Sequence, residues 1–153
     1  MDAVLIYTRL AVTRAEIALH AEEPESAIEW AQKSVELARS TLRRKYEARA
    51  LSLLGEALAK SGRREEAIQA LEAGVKVADE LVNPPGRWNA YAALGRSAYA
   101  LGDDDRAAGA SSQAAELVES FAATLSPERS TRLLSSPAIV EILSSAGRSS
   151  GAR

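Results

Sequence analysis

The sequence predicts an all-α solenoid of three helical hairpins closed by C-terminal capping helices. Three observations carry that prediction: a 40-residue internal repeat, apolar residues three and four places apart within each half-repeat, and a composition rich in alanine but poor in aromatics. Of the 153 residues 31 are Ala and only 5% are aromatic, so the core must be built from Ala, Leu, Val and Ile. Such a core calls for helices that approach closely, and the length allows one domain or a short repeat array with a buried interior.

Segments 8–42, 48–82 and 88–122 align without gaps. Ala27, Ala67 and Ala107 fall at intervals of 40, as do the small residues Ala15, Gly55 and Gly95 and the turn residues Glu22, Gly62 and Gly102. Ile28, Ile68 and Ala108 share the register; so do Val35, Val75 and Ala115, and Leu37, Val77 and Leu117. Matched small residues, apolar residues and turns in one register mark a stacked supersecondary unit.

The first unit, over 3–42, opens its second helix with Pro24, where a missing N–H costs nothing. Its join to the second unit, over 40–45, carries neither Gly nor Pro. In the second unit, over 43–82, Leu51, Leu54, Leu58 and Ala59 form one apolar helical face. Ser61 and Gly62 stop that helix, because Gly accepts the left-handed conformation of a C-terminal cap. Glu65 and Glu66 then open a helix at its positive end, and Ala67, Ile68, Leu71, Val75 and Ala78 continue its buried stripe. Asn83, Pro84, Pro85 and Gly86 break the chain before the third unit, over 87–122, whose second helix begins at Asp103, Asp104 and Asp105.

The closing segment reads as two short helices over 126–146. Ser126 before Pro127 and Ser136 before Pro137 each look like an N-cap residue followed by Pro at the first helical position. Leu133, Leu134, Ile139, Val140, Ile142 and Leu143 supply apolar faces that would cover the third unit, the cap a solenoid needs. Gly147 is expected to end the last helix and 147–153 to be a disordered tail, with the repeat domain set at 1–143. Within each hairpin, Gly55 facing Ala67 and Gly95 facing Ala107 would permit a close crossing. Neither helix of a hairpin covers its own apolar face, so the units must stack.

These residues resemble the tetratricopeptide repeat (TPR), whose units pair a Leu-Gly step and an aromatic in the first helix with small Ala positions in the second. The third unit carries Trp88, Leu94, Gly95 and Ala107 at matching spacing, with Tyr99 one place late. The second carries Leu51, Leu54, Gly55, Leu58, Ala67 and Leu71, and the first replaces Leu-Gly with Arg14 and Ala15. The period of 40 departs from the family's roughly 34, and the family's closing Pro is missing from the expected places. The pattern is similar to the extended TPR-like arrays at the C-terminal end of bacterial signalling ATPases and adenylate cyclases. The resemblance implies a right-handed solenoid that binds other proteins.

Chemistry finds little support. The absence of Cys excludes disulfide frameworks, thiolate zinc sites, iron–sulfur clusters and cysteine nucleophiles, and a single His excludes the usual multi-His metal sites. His20 would have to anchor any acid–base mechanism with Glu16 or Glu22, yet no motif supplies a nucleophile. Gly95 to Tyr99 lack the final Gly and the preceding strand of a nucleophile elbow. Asp103 to Asp105 lack the alternating pattern of a cation loop and suit a helix start instead. With 19 Lys+Arg against 21 Asp+Glu, a net charge of −2 leaves no basic excess for nucleic acid, and the clusters at 43–45 and 63–64 are too short for a patch. No Gly-rich phosphate loop is present. Asp2 and the short apolar stretch before Arg9 do not make a secretory signal, and no stretch approaches the roughly 20 apolar residues of a membrane span. The expectation is a cytoplasmic, non-catalytic protein without cofactor or metal, and without nucleic-acid or membrane partners.

What remains is a surface. In TPR-like arrays the first helix of every hairpin lines a concave groove. The repeat register then gives Arg9, Glu16 and His20 from unit one, Arg49, Ser52, Glu56 and Lys60 from unit two, and Asn89, Arg96 and Tyr99 from unit three. Mixed charge with one aromatic suits a peptide or protein partner, Arg and Tyr being the expected hot spots. The family's Lys and Asn clamp for a partner's terminal carboxylate is not evident, and Trp30 and Trp88 read as packing residues at unit junctions. Two alternatives stand beside this groove: a regulatory or sensor domain of a larger signalling ATPase, cyclase or transcription regulator, and a module that self-associates into a homodimer through a solenoid end.

Overall fold

A computed structural model describes the backbone of residues 3–150 and side chains as far as Gly147. Those residues form eight α-helices: α1 (Ala3–His20), α2 (Pro24–Ser40), α3 (Arg44–Lys60), α4 (Arg64–Asp79), α5 (Pro84–Ala100), α6 (Asp104–Ala122), α7 (Pro127–Leu134) and α8 (Pro137–Ser150). No strand occurs among the described residues. From α2 to α6 the helices begin at 24, 44, 64, 84 and 104, so each half-repeat occupies 20 residues.

One turn geometry recurs at that interval. Glu22, Leu42, Gly62 and Gly102 have φ of 58°, 54°, 77° and 74°. In each turn the residue after this one donates back to a carbonyl five places earlier, as Arg63 N–H does to Leu58 at 2.9 Å, while Gly62 N–H donates to Ala59 at 3.1 Å. The two hydrogen bonds satisfy two carbonyls that the helix end would otherwise orphan. The join lacking Gly and Pro is therefore turned by Leu42, whose left-handed conformation costs roughly 1–2 kcal/mol in an L-residue.

Close crossing is physical at the matched glycines. A Cβ on Gly55 would overlap Cγ of Leu71 and lie 3.0 Å from the Ala67 carbonyl. On Gly95 it would meet Ser111 Oγ at 2.7 Å. Ala27, Ala67 and Leu71 are 0% exposed. The central helix α3 packs between α2 and α4, α5 packs between α4 and α6, and α1, α3 and α5 lie side by side. At the C-terminal end α8 lies on α6, where Ile139 and Ile142 join Trp88 and Val118 in one buried cluster. Trp88 meets Phe121 with ring centroids 5.6 Å apart.

Several local expectations need correction. Pro84 and Pro85 stand in the first turn of α5, so the third unit begins before 87: Pro fits the first helical turn, and the Asn83 side chain caps that turn by accepting from Gly86 N–H at 3.2 Å. Ser126 occupies the N-cap of α7 without a side-chain cap bond, and the Ser136 hydroxyl is donated backwards to the Leu133 carbonyl at 2.9 Å. Gly147 does not end α8, which continues to Ser150, because a helical Gly costs only about 1 kcal/mol. Of the tail expected to be disordered, 151–153 lie outside the described residues.

Candidate protein-binding groove

Ion pairs bind each first helix to the next. Arg49 of α3 donates from Nε and Nη2 to one oxygen of Glu16 on α1, at 3.0 and 2.8 Å. Arg96 of α5 reaches Glu56 of α3 at 3.3 Å. Glu16, Glu56 and Arg96 occupy one register position, 40 residues apart. Lys60 Nζ donates to the Leu19 carbonyl at 3.4 Å, a second bridge between α3 and α1.

Where α3 and α5 begin, a cleft of about 330 Å³ opens. Lys45, Arg49 and Ser52 line it from α3; Asn83, Pro85 and Asn89 line it from the start of α5. Val12, Tyr46, Leu81 and Ala90 make its lining mainly apolar, and its two cations and two amides offer donors to anionic and backbone-carbonyl groups of a ligand.

The expected groove residues divide. Arg49 and Asn89, both exposed, share the cleft with Ser52, and Glu16 and Glu56, both half-buried, hold the arginines. Arg9, His20 and Tyr99 are exposed but lie outside the cleft, Tyr99 at 75% exposure. Ser52 contradicts its assignment to the solvent face: it is 3% exposed, donates to the Ala48 carbonyl at 3.1 Å and abuts Gly74. A helix covered by neighbours on both flanks has no wide solvent face, so Ser52 forms only the floor of the cleft.

Lys45, Asn83 and Pro85 were not among the residues expected here. The signal was present, since Lys45 and Pro85 are 40 apart and equivalent, but Lys45 reads as part of a solvated basic cluster. Its neighbour Arg44 has a structural role instead, bonded to Glu47 at 2.8 Å and to Glu80. Beside the cleft, Asp79 accepts from Arg87 at 3.0 Å and from the Tyr91 hydroxyl at 2.8 Å, tying the end of α4 to α5. Burial, then the bond to Asp79, holds the Tyr91 phenol above its ordinary value. Trp30 is half-buried within the first hairpin, with Arg14 and Lys33 cations 4.7 and 5.1 Å from its ring centroid.

Among the described residues no group of three or more His, Cys, Asp or Glu could hold a metal ion, and no helix is long and apolar enough to cross a membrane. Residues 7–80 match the family model of the tetratricopeptide repeat. The chain has a tetratricopeptide-like fold. A search among curated proteins yields no match. Among solved structures, this TPR-like chain is similar to a Rap protein complexed with Competence and Sporulation Factor, with a TM-score of 0.73 over 99% of the chain at 17% identity. It spans 41% of that protein's length. It is also similar to a Podosopora anserina protein of the kinesin light chain type with nearly identical TPR-like repeats, at a TM-score of 0.61, 18% identity, and coverage of 100% of this chain and 90% of that one. A point-substituted form of the latter gives 0.59 at 19% identity, covering 96% and 89%. At such identities the likeness concerns the fold. TPR repeats generally mediate protein–protein interaction and typically serve as non-catalytic scaffolds.

Proposed function

We propose that this TPR-like chain is a non-catalytic, cytoplasmic binding module that takes an extended peptide or protein segment along the face of α1, α3 and α5. The observation that carries the reading is the cleft between α3 and α5, where Lys45, Arg49 and Asn89 converge, with the Arg96–Glu56 pair about two helical turns further along the same helices. Its chemistry favours a segment carrying an acidic side chain, with Tyr99 offering an exposed aromatic further along α5. Arg49 and Arg96 are oriented by their carboxylate partners, and a ligand acid has only to displace a surface ion pair, each worth about 0–1 kcal/mol. The Rap protein in the similar structure is complexed with a factor, which supports reading this fold as a receptor surface.

The test is selection of acidic peptides from a random library, followed by titration of wild type and of Arg49→Ala with Arg96→Ala. The double variant is expected to lose about tenfold or more in affinity. Binding unchanged in that variant counts against the groove.

A second reading rests on the 41% coverage of the Rap protein: the chain acts as the regulatory or sensor part of a longer signalling ATPase, cyclase or transcription regulator. Gene context decides between the two, since an upstream nucleotide-binding or cyclase region favours the second.

A further inference from the structure

The outward face of α1 is apolar, and we propose that it pairs with α1 of a second copy of this chain in an antiparallel, twofold contact. Ile6, Leu10 and Ile17 are 47%, 42% and 62% exposed. With Thr13 they stand at 6, 10, 13 and 17, the alternating spacing of a supercoiling seam. The opposite side of α1 is turned inward through Ala11, Val12, Ala15, Ala18 and Leu19. The helix is thus apolar on two sides, and the described residues cover one.

The repeat register identifies the uncovered side as a helix-docking face. Forty residues on, Leu10, Thr13 and Ile17 become Ala50, Leu53 and Ala57, all buried. There α3 receives α2: Leu53 and Ala57 cluster with Ile28 and Ala31, and Ala50 with Val35. The α1 face differs in size from that internal contact. The internal contact sets Leu53 between Ala50 and Ala57, which let the helices approach, whereas Leu10 and Ile17 flank the smaller Thr13 and hold a neighbour further out, at the spacing of a knobs-into-holes pair.

Charge selects a second copy and its direction. Antiparallel pairing sets Ile6 against Ile17 of the second copy and Leu10 against its Thr13, and brings Arg9 beside its Glu16. Both Arg49 bonds to Glu16 end on Oε1, which leaves Oε2 to accept from that Arg9. Parallel pairing would bring Arg9 beside Arg14, like charge against like.

The contact shares Glu16 with the groove, but its variants leave Glu16, Arg49, Asn89 and Arg96 intact, so the two readings fail separately. Light scattering across about 10 µM to 1 mM is expected to show the mass rising from 16.3 kDa toward twice that value, as a small contact is a weak one. Leu10→Glu with Ile17→Glu, at exposed positions, is expected to keep its helical circular dichroism and stay at the monomer mass. The chain has no Cys, so Leu10→Cys mixed with Thr13→Cys reports the register: the mixed disulfide is expected to exceed either like pair. A constant 16.3 kDa would overturn the proposal and assign the seam to a helix of another sequence. A dimer that survives the Glu variant, or a predominance of like-pair disulfides, would overturn it equally.

Discussion

Arg49 of α3 holds a single oxygen of Glu16 on α1 through two hydrogen bonds, at 2.8 and 3.0 Å. The partners belong to consecutive hairpins, so the pair forms only when the hairpins stack, and it sets the guanidinium at the edge of the cleft. Glu16 orients Arg49 and also competes with any ligand acid. Glu16→Gln removes the competing charge, and affinity for an acidic peptide is expected to rise about two- to fivefold, the scale of one surface ion pair. Thermal stability should move by less than about 0.5 kcal/mol. Weaker binding would show that orientation outweighs competition.

Among the described residues Glu47 is the buried acid, 3% exposed, gripped by Arg39 of α2 and Arg44 of α3 at 2.8 Å each. The two sides of this cluster are unequal, because the arginines reach solvent and the carboxylate does not. Arg39→Ala with Arg44→Ala strands a buried charge and is expected to cost about 3 kcal/mol in denaturant unfolding. Glu47→Gln leaves cations that water can solvate, and should cost about 1–2 kcal/mol. The reverse order would mean that the carboxylate is not desolvated.

Two glycines in helix interiors should respond to Ala with opposite signs. Gly55→Ala drives a methyl into fully buried Leu71 and the Ala67 backbone, an overpacking expected to cost about 1–3 kcal/mol. Gly109, exposed within α6, has nothing within 4 Å of an added Cβ. Gly109→Ala should therefore stabilise by about 0.5–1 kcal/mol through helix propensity. Calorimetric melting of the two variants checks both signs.

Leu42 is 83% exposed and left-handed at φ 54°, so its side chain adds strain and almost no packing. Leu42→Gly is expected to raise stability by up to about 1 kcal/mol, with the greater flexibility of Gly in the unfolded chain offsetting part of the relief. A lower melting temperature would mean that the turn is not held left-handed in solution.

The hairpin architecture was legible because its signals are local and repeated. Gly55 and Gly95 mark the close crossings, and Glu22, Gly62 and Gly102 mark three of the turns. Leu42 carries no such signal, because nothing in its chemistry favours a left-handed turn; the stacking of α2 on α3 imposes it. Ser52 was misplaced because an amphipathic stripe assumes one wet side, and α3 is flanked by α2, α4 and α5. Lys45 was hidden in a basic cluster whose members part ways in the fold, Arg44 into an ion network and Lys45 onto the cleft. Burial by neighbouring units is a tertiary fact, and the period of the sequence does not contain it.

The central claim, that the face of α1, α3 and α5 is the binding surface, is tested most directly by mapping a selected peptide through amide shift changes in NMR. The account predicts changes concentrated at Lys45, Arg49, Asn89, Arg96 and Tyr99, with α2, α4 and α6 quiet on their outer faces. Changes centred on those outer faces, with the α3–α5 cleft unmoved, would contradict it.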